Sequence, residues 1–284
     1  MRPKEWVKNV FIFAAIVFDR KLFAPNALLR TIATFVAFCL ISSTIYLIND
    51  LADIEKDRQH PIKRKRPLPS GQLRPGIAIV AAIIIPLIII PLTFVVDLTL
   101  GGIVAVYLGL MILYTFYLKQ FVIIDVMTIA TGFVLRVAAG VVVIDVERFS
   151  PWLYVSMTLL ALFLGFGKRR HELFTLEEDA GNHRASLQHY SLELIDQMTV
   201  VVFSAALMCY SLYTFSAENL PRIDGQPVMM LTIPFVLYAM FRYQYLVHVR
   251  KMGGSPEEIV LGDPPFIGAL LLYGIMVLVL MYLF

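Results

Sequence analysis

Apolar residues form runs of about 20 positions along the whole chain, and shorter polar connections separate these runs. Nine of the runs fit membrane-spanning helices. They cover residues 9–24, 28–48, 76–95, 98–118, 121–144, 150–167, 198–217, 227–247 and 264–284. Asp19, Arg20 and Lys21 interrupt the first run, and Trp6 precedes it as an interfacial anchor. The pattern predicts an all-α, polytopic membrane protein.

Composition supports the same class. Of the 284 residues, 59% are hydrophobic and 16% are charged, whereas soluble domains have about half apolar and a quarter charged residues. No connection is long enough for a separate soluble domain, so residues 1–284 are predicted to form one integral membrane domain. Cys39 and Cys209 fall inside apolar runs, which argues against a disulfide or a cysteine metal site. Residues 1–18 lack a small-residue cleavage pattern, which indicates a retained first span.

The distribution of Lys and Arg predicts the orientation. With the N-terminus in the cytoplasm, the cluster of cations from Lys56 to Arg74 and the three cations at 168–170 fall on the cytoplasmic side. Nine spans then place Phe284 outside. The protein is therefore predicted to lie in the inner (plasma) membrane, with its two long polar connections, 49–75 and 168–197, in the cytoplasm.

The first long connection begins with three aspartates. On a continuous helix, Asp50, Asp53 and Asp57 share one face, with Asn49 beside them, while Glu55 points away. Like charges at this spacing repel, so the arrangement predicts a bound cation. Oxygen ligands favour Mg²⁺, which usually binds one or two carboxylates together with substrate phosphates. The basic run from Lys63 to Arg66 follows. The alternative is a solvated, mixed-charge helix end beside the membrane.

Three consecutive cations, Lys168, Arg169 and Arg170, open the second long connection, and Glu172 follows them. They are candidates for a phosphate clamp. The alternative is that they face lipid headgroups as anchors.

Two charges lie within the fifth predicted span, at Asp125 and Arg136. They share a helix face, but about 16 Å of rise keeps them from pairing directly. An arginine at this depth indicates either a polar cleft or a structural arginine bonded to backbone carbonyls, and the sequence leaves both open. The histidines lack metal-ligand spacing, and no nucleic-acid motif occurs.

The acidic stretch reads NDxxDxxxD and is followed by Arg66-Pro67-Leu68-Pro69-Ser70-Gly71. Together with nine spans, these motifs resemble the UbiA superfamily of intramembrane prenyltransferases. Within it, the chain is most similar to the decaprenyl-phosphate phosphoribosyltransferase branch. Four further segments carry that resemblance: residues 2–9, residues 114–119 with Asp125 and Arg136, residues 167–173, and residues 256–259 ahead of Asp263.

The resemblance implies a reaction. A Mg²⁺-dependent enzyme would transfer 5-phosphoribose from 5-phosphoribosyl 1-diphosphate to a polyprenyl phosphate in the bilayer. Prenyltransferases of the superfamily carry a DxxxD motif after the sixth span, where this chain has Lys168 to Glu172. This departure disfavours the alternative, transfer of a prenyl group from a prenyl diphosphate to an aromatic acceptor. Assembly into a homo-oligomer is left open, and no nucleic-acid partner is expected.

The resemblance also implies site residues. Asp50, Asp53 and Asp57 would be catalytic and, with Asn49, would bind the metal. The residues expected to bind the donor are Lys65, Arg66, Tyr114, Lys168, Arg169, Arg170, Glu172 and Arg184. Those expected to bind the acceptor are Lys8, Asn9, Lys119 and Arg136.

Overall fold

The computed structural model describes residues 3–59, 63–146, 150–176, 185–250 and 262–284, which are almost entirely helical. These residues contain ten α-helices: α1 Ala14–Phe18, α2 Pro25–Ala52, α3 Ile54–Gln59, α4 Pro75–Val96, α5 Leu98–Phe116, α6 Ile124–Val143, α7 Pro151–Leu176, α8 Leu192–Ser216, α9 Ile233–His248 and α10 Pro264–Leu283. Short 3₁₀ helices lie at Pro3–Phe13, Lys63–Lys65, Leu118–Gln120, Ala185–His189 and Val228–Thr232. A two-residue hairpin pairs β1 Arg222–Ile223 with β2 Gln226–Pro227.

Local sequence signals start several of these helices. Proline occupies the first turn of α2, α4 and α10, where its missing N–H costs nothing. Side chains also cap two helix N-termini. The Asp97 carboxylate caps α5 by accepting a hydrogen bond from the Leu100 N–H at 2.8 Å, and the Asp263 carboxylate caps α10 by accepting one from the Phe266 N–H at 3.0 Å.

Seven described helices are long and apolar enough to cross a membrane: α2, α4, α5, α6, α7, α8 and α10. The protein is therefore an integral membrane protein. The first and eighth predicted spans do not form single long helices. The first consists of the 3₁₀ helix Pro3–Phe13 and the five-residue α1, and the eighth of Val228–Thr232 and the 16-residue α9.

The main apolar core lies where the N-terminal 3₁₀ helix packs against α2, α5 and α6. Ile12, Phe38, Leu100, Val104 and Ala139 are all almost fully buried there. The contact is close, since an ideal Cβ on Gly140 of α6 would lie 2.1 Å from the carbonyl oxygen of Ile12. Glycine at this position therefore lets the N-terminal segment enter the bundle.

Successive long helices run in alternate directions, which brings polar residues from distant parts of the chain to one end. We call this end, defined by Asp50, Lys119 and Lys168, the aspartate end. The opposite end, defined by Lys21, Asp145 and the β1–β2 hairpin, is the far end. At the far end, the Lys21 ammonium donates to the carbonyl oxygens of Ile144 and Asp145 at 3.1 and 3.2 Å.

Candidate functional site

Arg66 joins two carboxylates at the aspartate end. Its Nη1 atom lies 2.6 Å from Asp57 Oδ2 and 3.3 Å from Asp50 Oδ1. The side chain of Asp50 is 10% exposed and that of Asp57 is 5% exposed, against 28% for Arg66. Two nearly buried carboxylates thus share one guanidinium, which balances part of their charge.

The turn after the basic run explains how Arg66 reaches this position. Leu68 is 2% exposed and packs against Leu47 and Ala78. Backbone hydrogen bonds close the turn, with the Ser70 N–H donating to Arg66 O at 3.0 Å. Gly71 has φ +80°, a conformation that glycine adopts without strain. A buried leucine and a glycine turn therefore fold the loop back onto α2.

Asp53 faces a different cation. Its Oδ2 atom lies 3.5 Å from Lys119 Nζ, so the end of α2 is linked to the 3₁₀ turn that follows α5. Its backbone N–H donates to the Asn49 carbonyl oxygen at 3.0 Å. Glu55 points away, is exposed, and pairs with Arg58 at 2.7 Å. The prediction that Glu55 lies apart from the aspartates agrees with this geometry.

The prediction of an unbroken helix through Asp57 is wrong. α2 ends at Ala52, Asp53 has φ −103° and ψ 13°, and α3 begins at Ile54. Asp50 and Asp57, which Arg66 joins, therefore lie on opposite sides of the break, and Asp53 lies at the break itself. In the described part of the chain, no three His, Cys, Asp or Glu side chains are grouped as a complete set of metal ligands. The two carboxylates that Arg66 brings together, Asp50 and Asp57, still fit Mg²⁺, which usually binds one or two carboxylates and completes its coordination with phosphate oxygens and waters.

The three consecutive cations of α7 point to three environments, since successive helical residues are rotated by about 100°. Arg169 is 1% exposed and pairs with Asp125 and Glu172. Arg170 pairs with Asp196 of α8, with Nε to Oδ1 at 2.7 Å. Among the described residues, Lys168 makes no ion pair within 4 Å. The prediction that all three cations form one phosphate clamp therefore does not fit the structure.

Arg169 is the centre of a buried network. Its Nε atom lies 3.0 Å from Asp125 Oδ2, and its Nη2 donates to the Tyr114 hydroxyl oxygen at 3.4 Å. Asp125 is fully buried, and it also accepts from the Tyr190 hydroxyl at 2.9 Å and from the Ser186 hydroxyl at 3.5 Å. The network thus connects α5, α6, α7 and the segment before α8, and fixes one wall of the site.

The N-terminal 3₁₀ helix supplies another wall. Glu5 pairs with Lys8 and accepts a hydrogen bond from the Tyr46 hydroxyl at 3.1 Å. Lys168 lies close enough to Lys8 and Glu5 of this segment for their charges to interact. Lys168 therefore faces the N-terminal segment.

Asn9 and Arg136 form a structural contact deeper in the bundle. Arg136 Nε donates to Asn9 Oδ1 at 2.7 Å, Nη1 donates to the Gly132 carbonyl oxygen at 2.8 Å, and Nη2 donates to the Tyr107 hydroxyl at 2.6 Å. Asn9 is fully buried and Arg136 is 7% exposed. Of the two interpretations left open, the structural arginine fits. The geometry does not support the expected acceptor-binding role for either residue. As predicted, Asp125 and Arg136 do not pair.

Two expected site residues remain. Lys65 is exposed on the 3₁₀ turn before Arg66. Arg184 falls outside the described residues, as do residues 256–259.

Sequence reasoning assigned no role to Glu5 or Tyr46 and none within the site to Asp125. For Tyr46 a signal existed, since it precedes Asp50 by one helical turn on the same face. For Asp125 the signal was a carboxylate inside an apolar run. Nothing in the local sequence identifies Glu5 as a neighbour of Tyr46.

Comparison with known proteins gives consistent matches. The UbiA prenyltransferase family matches residues 10–255. A decaprenyl-phosphate phosphoribosyltransferase from Mycolicibacterium smegmatis is 32% identical over 275 residues, covering 93% of this chain and 85% of that protein. The decaprenyl-phosphate phosphoribosyltransferase of Corynebacterium glutamicum is 33% identical over 267 residues, covering 93% of this chain and 80% of that protein.

A solved structure shares the fold. It is a UbiA homologue from Archaeoglobus fulgidus bound to GPP and Mg²⁺, with a TM-score of 0.74 and 16% identity, covering 99% of this chain and 97% of that one. The matched residues, the related sequences and the shared fold agree, and the chain belongs to the UbiA prenyltransferase family.

Proposed function

We propose that the protein transfers 5-phosphoribose from 5-phosphoribosyl 1-diphosphate to a polyprenyl phosphate, giving polyprenyl-phosphoryl-5-phosphoribose and diphosphate. The observation that carries this proposal is that the acidic side chains of Asp50, Asp53 and Asp57 and the side chain of Lys168 lie at the same end of the bundle. A donor with phosphate at both ends needs acidic side chains that hold a metal for one phosphate end and a cationic side chain for the other. The names of the related phosphoribosyltransferases support the same reaction.

The aspartates would hold Mg²⁺ together with the donor diphosphate. When bound, Mg²⁺ supplies positive charge that stabilises the departing diphosphate. Lys168 would bind the 5-phosphate, because the Arg169 side chain is only 1% exposed and Arg170 is turned towards Asp196 of α8. Lys119 and Lys8 would contact the acceptor phosphate, and Arg66 would exchange its carboxylate contacts for phosphate when substrate enters.

The chemistry requires little acid–base help. The bond between ribose C1 and the diphosphate oxygen breaks, the bond between C1 and an acceptor phosphate oxygen forms, and diphosphate leaves. A phosphate monoester is already anionic near neutral pH, with a second pKa of about 6. It therefore needs no general base, and the residues of the site act by position and charge.

We further propose one membrane unit of nine crossings, with the aspartate end and the N-terminus in the cytoplasm and the C-terminus outside. A 3₁₀ helix rises about 2.0 Å per residue, so Pro3–Phe18 extends about 30 Å, enough for the hydrocarbon core. Residues 228–248 extend about 34 Å by the same reasoning. Cysteines introduced at the exposed positions Ser70 and Gln188 should resist impermeant reagents added to intact cells. Labelling at either position would refute this orientation.

The test of function is direct transfer. Purified protein is incubated with Mg²⁺, radiolabelled 5-phosphoribosyl 1-diphosphate and polyprenyl phosphate, and a labelled lipid is expected. Ribose 5-phosphate should compete with the donor. If the protein ignored ribose 5-phosphate but was inhibited by short prenyl diphosphates, the prenyltransferase alternative would replace this proposal.

A further inference from the structure

A long apolar groove lies between α2, α4 and α5. Its volume is about 450 Å³, and every residue that lines it is Ala, Ile, Leu or Pro. Ile48 contributes from α2, Ile83 and Leu87 from α4, and Leu108 and Ile112 from α5. The part of α4 from Ala82 to Pro91 that borders the groove extends about 14 Å.

The two ends of the groove differ. Towards the far end, α4 and α5 pack tightly, because the ring of Phe94 lies against Gly101, where an ideal Cβ would come within 2.3 Å of the ring. Between that contact and the aspartate end, Pro86 and Pro91 interrupt the backbone hydrogen bonding of α4. The groove therefore ends at Phe94 in one direction and approaches the aspartate end in the other.

Lys119 lies beyond the groove, on the side of the aspartate end. Ile48 precedes the end of α2 by four residues, and Ile112 precedes the end of α5 by four residues, so each lies about 6 Å from its helix end. Asp53 and Lys119 follow these two helix ends and pair at 3.5 Å. The Lys119 side chain is 23% exposed, so an incoming anion can reach it.

We propose that this groove binds the first isoprenoid units of the polyprenyl tail while the lipid phosphate contacts Lys119. This inference rests on the proposed function. A polyprenyl phosphate has a single branched apolar chain and one terminal phosphate, which matches one apolar groove under one cation. A phospholipid carries two chains and a head group beyond its phosphate, so it matches less well. The groove thus separates the acceptor tail from the donor, which binds on the other side of α2, where Asp50 faces Arg66.

Filling the groove tests this assignment. Leu87→Trp should raise the KM for a long polyprenyl phosphate by about tenfold or more, the equivalent of losing about two buried methylenes. The KM for the donor should change by less than about twofold, and so should the KM for a one-isoprene phosphate, whose chain is too short to reach Leu87. The matched control is Ile88→Trp, because Ile88 is 52% exposed on the same helix and does not line the groove. If both variants behaved alike, or if Leu87→Trp impaired long and short acceptors equally, the groove assignment would be overturned.

A binding experiment separates this assignment from the proposed function. Wild-type protein in detergent is photolabelled with a diazirine-bearing polyprenyl phosphate, and labelled peptides are expected from α4 and α5. Unlabelled polyprenyl phosphate should protect them, whereas the same concentration of phosphatidylglycerol should not. Equal protection by phosphatidylglycerol would identify an ordinary lipid site and refute the inference. A wild-type protein that labels as expected but transfers no phosphoribose would refute the reaction alone.

Discussion

Arg66 Nη1 lies 2.6 Å from Asp57 Oδ2, so the loop that follows the acidic stretch returns to neutralise its last carboxylate. The same atom reaches Asp50 at 3.3 Å. One guanidinium therefore holds the carboxylates of Asp50 and Asp57 close together.

Arg66→Met should lower the free energy of unfolding by about 1 to 3 kcal/mol, because it leaves two nearly buried carboxylates without their shared partner. Added Mg²⁺ should recover part of this loss, since the metal then balances the same carboxylates. Thermal unfolding with and without Mg²⁺ measures both effects. Arg64→Met is the control, because Arg64 is exposed on the neighbouring 3₁₀ turn. Equal loss in both variants would contradict the role of Arg66.

Asp50→Asn and Asp53→Asn should each abolish transfer while leaving a folded protein, since they remove oxygen ligands rather than packing. Glu55→Gln should retain activity, because Glu55 is exposed and pairs only with Arg58 among the described residues. Transfer rates across a Mg²⁺ titration give the comparison. Similar losses of transfer activity in all three variants would mean that the acidic side chains act through their total negative charge and not as specific metal ligands.

Lys168→Met should raise the donor KM by about 10- to 150-fold, as expected when a charge-assisted hydrogen bond to phosphate is lost. Arg170→Gln should leave the donor KM within about threefold, because Arg170 pairs with Asp196 instead. Competition by ribose 5-phosphate should weaken in the lysine variant alone. If Arg170→Gln raised the donor KM by more than threefold, the result would support the prediction that the consecutive cations form one phosphate clamp.

Gly140→Ala should destabilise the protein by about 1 to 3 kcal/mol, because the new Cβ meets backbone rather than a side chain that can move. It should also raise the KM of both substrates, since the N-terminal segment carries Lys8 and Glu5. Gly102→Ala in α5 is the control, with no atom within 4 Å of its ideal Cβ. Thermal unfolding and steady-state kinetics would show the difference.

Hydropathy predicted the long helices well because a membrane demands continuous apolar segments. It did not predict the 3₁₀ helix at Pro3–Phe13, because hydropathy does not distinguish a 3₁₀ helix from an α-helix. The helix break at Asp53 was also hidden, since no proline or glycine marks it.

Sequence reasoning found the acidic centre but misjudged the consecutive cations of α7. Helical geometry alone could have shown that Lys168, Arg169 and Arg170 cannot share one face. What it could not show is which of them would meet a carboxylate, because the partners Asp125 and Asp196 lie on other helices. Pairing across the bundle depends on tertiary packing.

The contact between Asn9 and Arg136 joins residues 127 positions apart. During synthesis, the N-terminal segment leaves the ribosome long before α6 exists to receive it. Until then, the Asn9 amide cannot form its hydrogen bond with Arg136, and Ile12 cannot pack against Gly140. The 3₁₀ helix Pro3–Phe13 is made before α6 but completes its packing only after α6 is present, so its insertion into the bundle is a late step in assembly of the membrane protein.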